Sequence, residues 1–141
     1  MGATDWRDGV KVVRGKTLQE AMASRGGRAT AVDFAAGGER GVWIGTVRLD
    51  PLGNTGKHHH GRHEALLYVV SGEAEIRWGE SLEYAADVRP GDFIYFRPFV
   101  PHQEHNKDPK QAVEYVVIRS DNERIAVKLD GAISESPQTV Y

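Results

Sequence analysis

The stretch GNTGKHHHGRHEALLYVVSG, residues 53–72, is the most informative part of this chain. It holds four of the six histidines, and the other two, His102 and His105, lie further along the chain. Alternate side chains of an extended segment share a face, so we expect His58 and His60 to point the same way. Two imidazoles in this arrangement can bind one metal ion, and further ligands from the chain can complete the site.

A second stretch, PGDFIYFRPFVPHQEHN, occupies residues 90–106. Its histidine His102 follows a predicted turn and strand and could supply a third imidazole from a distant part of the chain. Glu104 shares the face of His102, although we expect it to be a solvated turn residue. Neutral imidazoles with one carboxylate suit Fe, Mn, Ni, Co, Cu or Zn, and an octahedral ion would keep open positions for water or substrate. The chain contains no cysteine, which excludes disulfides, thiolate metal sites and a thiol nucleophile.

Working outward from these stretches, the pattern of apolar residues predicts an all-β fold. Short segments with a period of two, separated by glycine-rich turns, indicate eight or nine strands of a sandwich or barrel. The named candidates are residues 29–35, 42–49, 65–70, 73–78, 82–85, 93–96, 112–119 and 125–129. Thr17 and Glu20 form a capping box that predicts a short N-terminal helix over residues 18–25. We expect the tail from Ser134 to fray.

Length and composition predict one structural domain. The chain has 141 residues, of which 40% are hydrophobic and 27% charged, which suits a single packed core. We expect residues 1–40 to form an arm, a short helix and an edge strand. Residues 41–130 would then form the barrel and residues 131–141 a C-terminal tail.

Charge and hydrophobicity restrict the partners and the location. The net charge is −2 and the basic residues are scattered, so we expect no binding to nucleic acid or to a membrane surface. The longest apolar run, residues 65–70, is too short to span a bilayer. The first residues contain no apolar leader, and we therefore expect a cytoplasmic protein. Exposed edge strands, residues 29–35 among them, favour a homodimer.

Together the two stretches resemble the two conserved motifs of the cupin superfamily. The first motif has a glycine, an H-x-H pair, a glutamate and a strand that ends in glycine, and the second has a P-G-D turn, a proline, a histidine and an asparagine. The matching residues are Gly53, His58, His60, Glu64, Gly72, Pro90, Gly91, Asp92, Pro98, His102 and Asn106. The resemblance is greatest to small single-domain cupins with a triple-histidine first motif. It implies a double-stranded β-helix, or jelly roll, with one divalent transition metal held by His58, His60, Glu64 and His102.

Two departures from the motifs leave alternatives open. Seven residues separate Glu64 from Gly72, where the family usually has six. Strict alternation would turn Glu64 away from the barrel interior, so either a β-bulge near Ala65 turns it back or His63 takes the ligand position. Arg97 stands where the second motif usually carries a proline, and its guanidinium could hold a substrate carboxylate.

These features predict a metal-dependent cupin enzyme that acts on a small organic substrate. A histidine-rich site favours a redox-capable ion over Mg or Ca, which directs the expectation to a dioxygenase-type oxidoreductase. An isomerase or a lyase is the alternative reaction class. A non-enzymatic module that senses a small molecule or a metal is the alternative role.

Overall fold

The structure is a computed structural model that describes residues 6–7, 14, 16, 28–32, 41–120 and 125–141, with 28–32 described for the backbone only. The helix predicted over residues 18–25 lies outside the described residues. So does the second half of the strand predicted over residues 29–35. The described residues contain no helix whose length and hydrophobicity would allow it to span a bilayer.

The described part of the chain forms eleven strands in two sheets. The strands are β1 Arg28–Val32, β2 Trp43–Leu49, β3 His58–His59, β4 Ala65–Ser71, β5 Ala74–Trp78, β6 Tyr84–Val88, β7 Phe93–Phe96, β8 His102–His105, β9 Val113–Arg119, β10 Val127–Lys128 and β11 Gln138–Thr139. One sheet has the order β1-β2-β9-β4-β7 and the other β10-β3-β8-β5-β6-β11. Neighbouring strands run antiparallel, apart from the parallel pair β6 and β11. The all-β prediction is confirmed.

The hydrophobic core lies between the two sheets. Strand β9 alternates strictly between buried and more exposed residues, and β4 does so from Ala65 to Val70. Their buried residues, with others from β5, β6 and β7, form one cluster: Ala65, Leu67, Val69, Ala74, Ile76, Val88, Phe96, Val113, Tyr115 and Val117. Because β9 keeps this alternation to its last residue, Arg119 belongs to the same inward face as Tyr115 and Val117.

Three strands are not among the candidates that the pattern of apolar residues predicted. Strands β3 and β8 consist of histidine, glutamine and glutamate, so they lack the apolar alternation that marks a half-buried strand. Strand β11 shows that the prediction of a frayed tail was wrong. The tail is held against β6 by hydrogen bonds from Gln138 N–H to Glu83 C=O, at 2.7 Å, and from Val140 N–H to Ala85 C=O, at 3.0 Å.

A β-bulge accommodates the extra residue of the first motif. The pairing of β4 with β9 shifts register between Val69 and Ser71, so Val70 is the inserted residue. Gly72 follows with a φ of +77°, and a Cβ there would lie 2.3 Å from the carbonyl oxygen of Ala112. The prediction of a bulge near Ala65 is wrong, because the insertion is absorbed at the far end of the strand.

Candidate metal centre

His58, His60 and His102 come together where β3 pairs with β8 in the six-stranded sheet. One ring nitrogen of each lies within 4.8 Å of those of the other two. Their ring centroids are 4.9 Å apart for His58 and His60, 4.3 Å for His58 and His102, and 5.2 Å for His60 and His102. The juxtaposition follows from the pairing of β3 with β8, in which His58 is the register partner of His102.

Backbone carbonyls fix the same tautomer in all three rings. The Nδ1 atoms of His58, His60 and His102 lie 2.8, 2.9 and 3.0 Å from the carbonyl oxygens of Gly56, Ile125 and Val100. A carbonyl oxygen only accepts hydrogen bonds, so each Nδ1 carries the proton and each Nε2 carries the lone pair. Histidines that bind metals are oriented in this way. In the described part of the chain, the buried Nε2 of His102 has no hydrogen-bond partner.

The protonation states suit metal binding. Burial lowers the pKa of His60 from 6.5 to about 4, although the hydrogen bond to Ile125 opposes that shift. Burial also lowers the pKa of His102, against the opposing charge of Glu104. Both imidazoles are therefore neutral at pH 7, and coordination requires the neutral form. The three histidines fit a divalent transition metal in position and tautomer, and His60 and His102 also fit it in charge.

Neighbouring groups hold the histidine rings in place. The ring of Phe96 stacks on His102 with centroids 4.0 Å apart and planes inclined by 21°. Gly61 has a φ of +58°, and a Cβ there would lie 3.0 Å from the side chain of Ile125, the residue whose carbonyl orients His60. The Phe99 N–H donates to the carbonyl of Gly61 at 2.8 Å and so ties the two histidine-bearing segments together.

Glu104 is buried beside the histidines and is not the solvated turn residue that was expected. Its carboxylate accepts a hydrogen bond from the Thr55 hydroxyl at 2.8 Å, and its backbone N–H donates to the same hydroxyl oxygen at 3.1 Å. Burial opposes ionisation, but His102, His58 and the Thr55 hydrogen bond outweigh it and lower the pKa of Glu104. The site therefore contains one buried carboxylate, which β8 presents on the same face as His102.

A cavity of about 270 Å³ adjoins the histidines. Both sheets line it, through Val47, Thr55, His58, His60, Ala65, Leu67, Phe96, Glu104, Tyr115, Val117, Arg119, Ala126 and Lys128. Burial raises the pKa of Tyr115, and its hydroxyl has no hydrogen-bond partner among the described residues. The guanidinium carbon of Arg119 lies 4.2 Å from the centroid of the Trp43 ring.

Sequence reasoning missed Tyr115 and Arg119 as site residues. The alternation of this strand could have identified them, because it places both residues on the same face as Val113 and Val117.

Glu64 does not join this cluster. It directly precedes β4 and is exposed, and its carboxylate accepts a hydrogen bond from the Tyr95 hydroxyl at 2.5 Å. The reason is the unbroken alternation from His63 to Val69, which turns Glu64 away from the interior. Among the described residues, the group that could hold a metal consists of His58, His60 and His102. His63 is 2% exposed but does not belong to that group.

Arg97 also lies away from the histidines. It is exposed and borders a second cavity, of about 780 Å³, which aromatic residues of β5 and β7 line together with Tyr141. The arginine that lines the histidine cavity is Arg119. The substrate-clamp prediction therefore named an arginine outside this cavity.

Comparisons with known proteins agree with this architecture. A cupin domain family matches residues 45–119. A cupin 2 domain-containing protein from Halorhodospira halophila is 25% identical, with a TM-score of 0.64, over 74% of this chain and 69% of that one. The polyketide cyclase RemF from Streptomyces resistomycificus is 23% identical, with a TM-score of 0.63, over 78% and 73% of the two chains. A recombinant oxalate oxidase in complex with glycolate is 22% identical, with a TM-score of 0.58, over 74% and 56%.

Among curated proteins, none matches this chain significantly. The family match nevertheless covers more than half of the chain, including all three clustered histidines. It also agrees with the two facing sheets and with the structural likenesses. The chain therefore belongs to the cupin family.

Proposed function

We propose that this chain is a metal-dependent cupin enzyme that acts on a small organic substrate. The observation that carries the proposal is the set of three histidines whose Nδ1 atoms are all held by backbone carbonyls. Each ring then offers Nε2 as a ligand atom, and a structural role for the three rings would not require a shared tautomer. The proposed cofactor is one divalent transition metal per chain, from the set Fe, Mn, Ni, Co, Cu and Zn.

His58, His60 and His102 are the proposed metal ligands. A bound ion would supply Lewis acidity and, if it is redox-active, the ability to activate oxygen. The cavity next to the ligands, about 270 Å³, lies below the usual range of about 300–1,000 Å³ for pockets that hold drug-sized ligands. The substrate is therefore expected to be a small molecule.

The remaining cavity residues divide into polar and apolar groups. The Tyr115 hydroxyl lacks a partner in the described structure, and such a buried group favours a ligand that accepts its hydrogen bond. Glu104 would hold or accept a proton at its carboxylate, which Thr55 orients. Val47, Leu67 and Phe96 form apolar wall and keep water away from the bound molecule.

An oxygen-dependent, dioxygenase-type oxidation is the leading reaction. Neutral nitrogen ligands favour a redox-capable ion over Mg or Ca, and the fold is shared with an oxalate oxidase. The test is to remove the metal, restore Fe, Mn, Ni, Co, Cu or Zn separately, and follow oxygen uptake with diketones, thiols and catechols. Substrate-dependent oxygen uptake with a redox-capable ion supports the proposal. Turnover without oxygen uptake would contradict it.

An isomerase or lyase is the second candidate, because one specific feature favours it. Glu104 and Tyr115 place a carboxylate and a phenol in the same cavity as the histidines. Such a pair suits proton transfer on a substrate that a Lewis-acidic ion polarises. Turnover that Zn restores as well as Fe, with no oxygen consumed, would favour this class. Saturable ligand binding without any turnover would indicate a sensing module instead.

A further inference from the structure

The structure locates the position that corresponds to the glutamate of the first cupin motif. The family places six residues between that glutamate and the glycine, and counting back from Gly72 leads to Ala65. Ala65 is 3% exposed, faces inward and lines the cavity with His58 and His60. An alanine therefore stands where a metal-binding carboxylate would otherwise enter the site.

Arg119 lies directly across from Ala65. The two residues are register partners in the pairing of β4 with β9, and both line the cavity. Directly opposed residues of antiparallel strands have Cβ atoms about 4.5–5.5 Å apart. Arg119 is 8% exposed, and its guanidinium carbon lies 4.2 Å from the centroid of the Trp43 ring. A guanidinium carries five N–H donors, in a geometry that matches a carboxylate.

The family motif places a negative carboxylate at the position of Ala65, whereas this chain has a neutral side chain there and a positive guanidinium directly opposite. Three neutral histidines leave the full charge of a divalent ion uncompensated, and Arg119 and Lys128 add positive charge to the cavity lining. Glu104 is the carboxylate of that lining. With a divalent ion bound, the excess positive charge favours an anionic ligand.

We propose that the cavity binds a small carboxylate, whose anionic group occupies the space beside Ala65 and is gripped by Arg119. The inference rests on the proposed function, since it places the carboxylate next to a metal held by His58, His60 and His102. It names the substrate class as short-chain organic acids. The apolar wall from Val47, Leu67 and Val117 suits the rest of such a molecule.

The test measures ligand binding and not turnover. Protein loaded with Co²⁺ is titrated with acetate, glycolate and pyruvate, and with acetamide as the neutral counterpart of acetate. Calorimetry gives the affinity, and the visible spectrum of Co²⁺ reports a change in its coordination. The key variant is Ala65→Glu, and its matched control is Leu66→Glu, which adds the same group to the outward face of the same strand.

The expected result is that acetate binds wild-type protein at least tenfold more tightly than acetamide does, because the bond to Arg119 is charge-assisted. Ala65→Glu should retain Co²⁺ and lose at least tenfold in acetate affinity, whereas Leu66→Glu should match wild type. Should Ala65→Glu fail to fold, Arg119→Gln serves as the second variant. It should lower acetate affinity at least tenfold, and Arg119→Lys should restore part of it.

Equal affinities for acetate and acetamide in wild-type protein would overturn the inference, and so would unchanged acetate binding in folded Ala65→Glu or Arg119→Gln. Co²⁺ binding without a preference for carboxylates would refute this inference and leave the proposed function standing. Failure of the wild-type protein to bind Co²⁺ would refute both.

Discussion

Two cavities among the described residues differ in size and in chemistry, and the smaller one carries the candidate site. The larger, about 780 Å³, is lined mainly by apolar and aromatic residues, and its charged residues Asp87, Asp92 and Arg97 are exposed. The smaller, about 270 Å³, gathers histidines, a carboxylate, a phenol and a guanidinium. Size alone would select the larger cavity, whereas the convergence of oriented polar groups favours the smaller one as the candidate site.

Phe96 lines both cavities and stacks on His102. It is the last residue of β7, whose other residues Phe93 and Tyr95 are among the exposed aromatic side chains. One short strand thus contributes to both regions. Substitutions in the two cavities at residues other than Phe96 should have separable effects, because β3 and β8, and not β7, carry His58 and His102.

The largest expected contrast is between His102→Ala and Phe93→Ala. Loss of one of three ligands should weaken binding of Zn²⁺ or Co²⁺ at least 100-fold, while Phe93→Ala should leave it unchanged. Calorimetric titration of the metal-free proteins measures both affinities. His105→Ala is the matched control, since His105 lies on the opposite face of the same strand. Equal losses of metal affinity in His102→Ala and His105→Ala would show that any substitution of a histidine in β8 lowers the affinity, and that His102 is not a specific ligand.

A second contrast separates the two residues that directly precede β4, of which His63 is buried and Glu64 is exposed. Glu64→Gln should retain full metal affinity, because the carboxylate lies outside and bonds to Tyr95. His63→Ala should also retain metal and destabilise the fold by roughly 1–3 kcal/mol, as expected for truncation of a buried side chain. Metal content and urea denaturation measure the two effects. Loss of metal in either variant would restore that residue as the fourth ligand.

The cavity histidines should also give the metal-free protein a distinct pH dependence. The pKa of His60 is about 4 in the folded state, against 6.5 for an unperturbed histidine. On acidification the unfolded state therefore takes up the proton first. The contribution of His60 to the free energy of unfolding should be fully present above pH 6.5 and should decrease as the pH falls from 6.5 to 4. One linked proton contributes at most about 1.4 kcal/mol per pH unit, and partial exposure of the ring reduces this.

Urea denaturation in the presence of a chelator, at several pH values, tests this linkage. His60→Ala should show a shallower dependence than wild type between pH 6.5 and 4, and Phe93→Ala should keep the wild-type slope. Identical slopes for wild type and His60→Ala would mean that His60 titrates normally in the folded protein.

The smallest expected effect concerns association and the edges of the sheets. We propose a homodimer, because β1 and β7 are edge strands of the five-stranded sheet and unpaired edges favour association. Light scattering should give about twice the chain mass of 15.6 kDa at micromolar concentration. A mass of one chain would contradict the dimer.

Phe93→Ala, which alters an exposed side chain of β7, is expected to change stability by no more than about 0.5 kcal/mol.

Local sequence features predicted the fold and the three clustered histidines. Alternation in an extended segment places His58 and His60 on one side, and the P-G-D turn and the spacing of the second motif place His102 on a separate strand. These signals need little knowledge of tertiary structure. The N-terminal helix over residues 18–25 stays a prediction.

The rest of the site depends on cross-strand register, which sequence does not reveal. The sequence left open whether a β-bulge near Ala65 turns Glu64 inward or His63 takes the ligand position, and the pairing of β4 with β9 places the bulge at Val70 instead. The same pairing brings Arg119 opposite Ala65. Arg97 had the right chemistry, but it lies on an exposed part of the chain beside the other cavity.

The central claim is that His58, His60 and His102 hold one metal ion through their Nε2 atoms. The most direct measurement is an anomalous difference map from a crystal grown or soaked with Zn²⁺ or Co²⁺. The account predicts one strong peak per chain at about 2.0–2.1 Å from each of the three Nε2 atoms, with Glu64 outside bonding distance. A peak bonded through Glu64, or no peak between the three rings under metal-replete conditions, would contradict it.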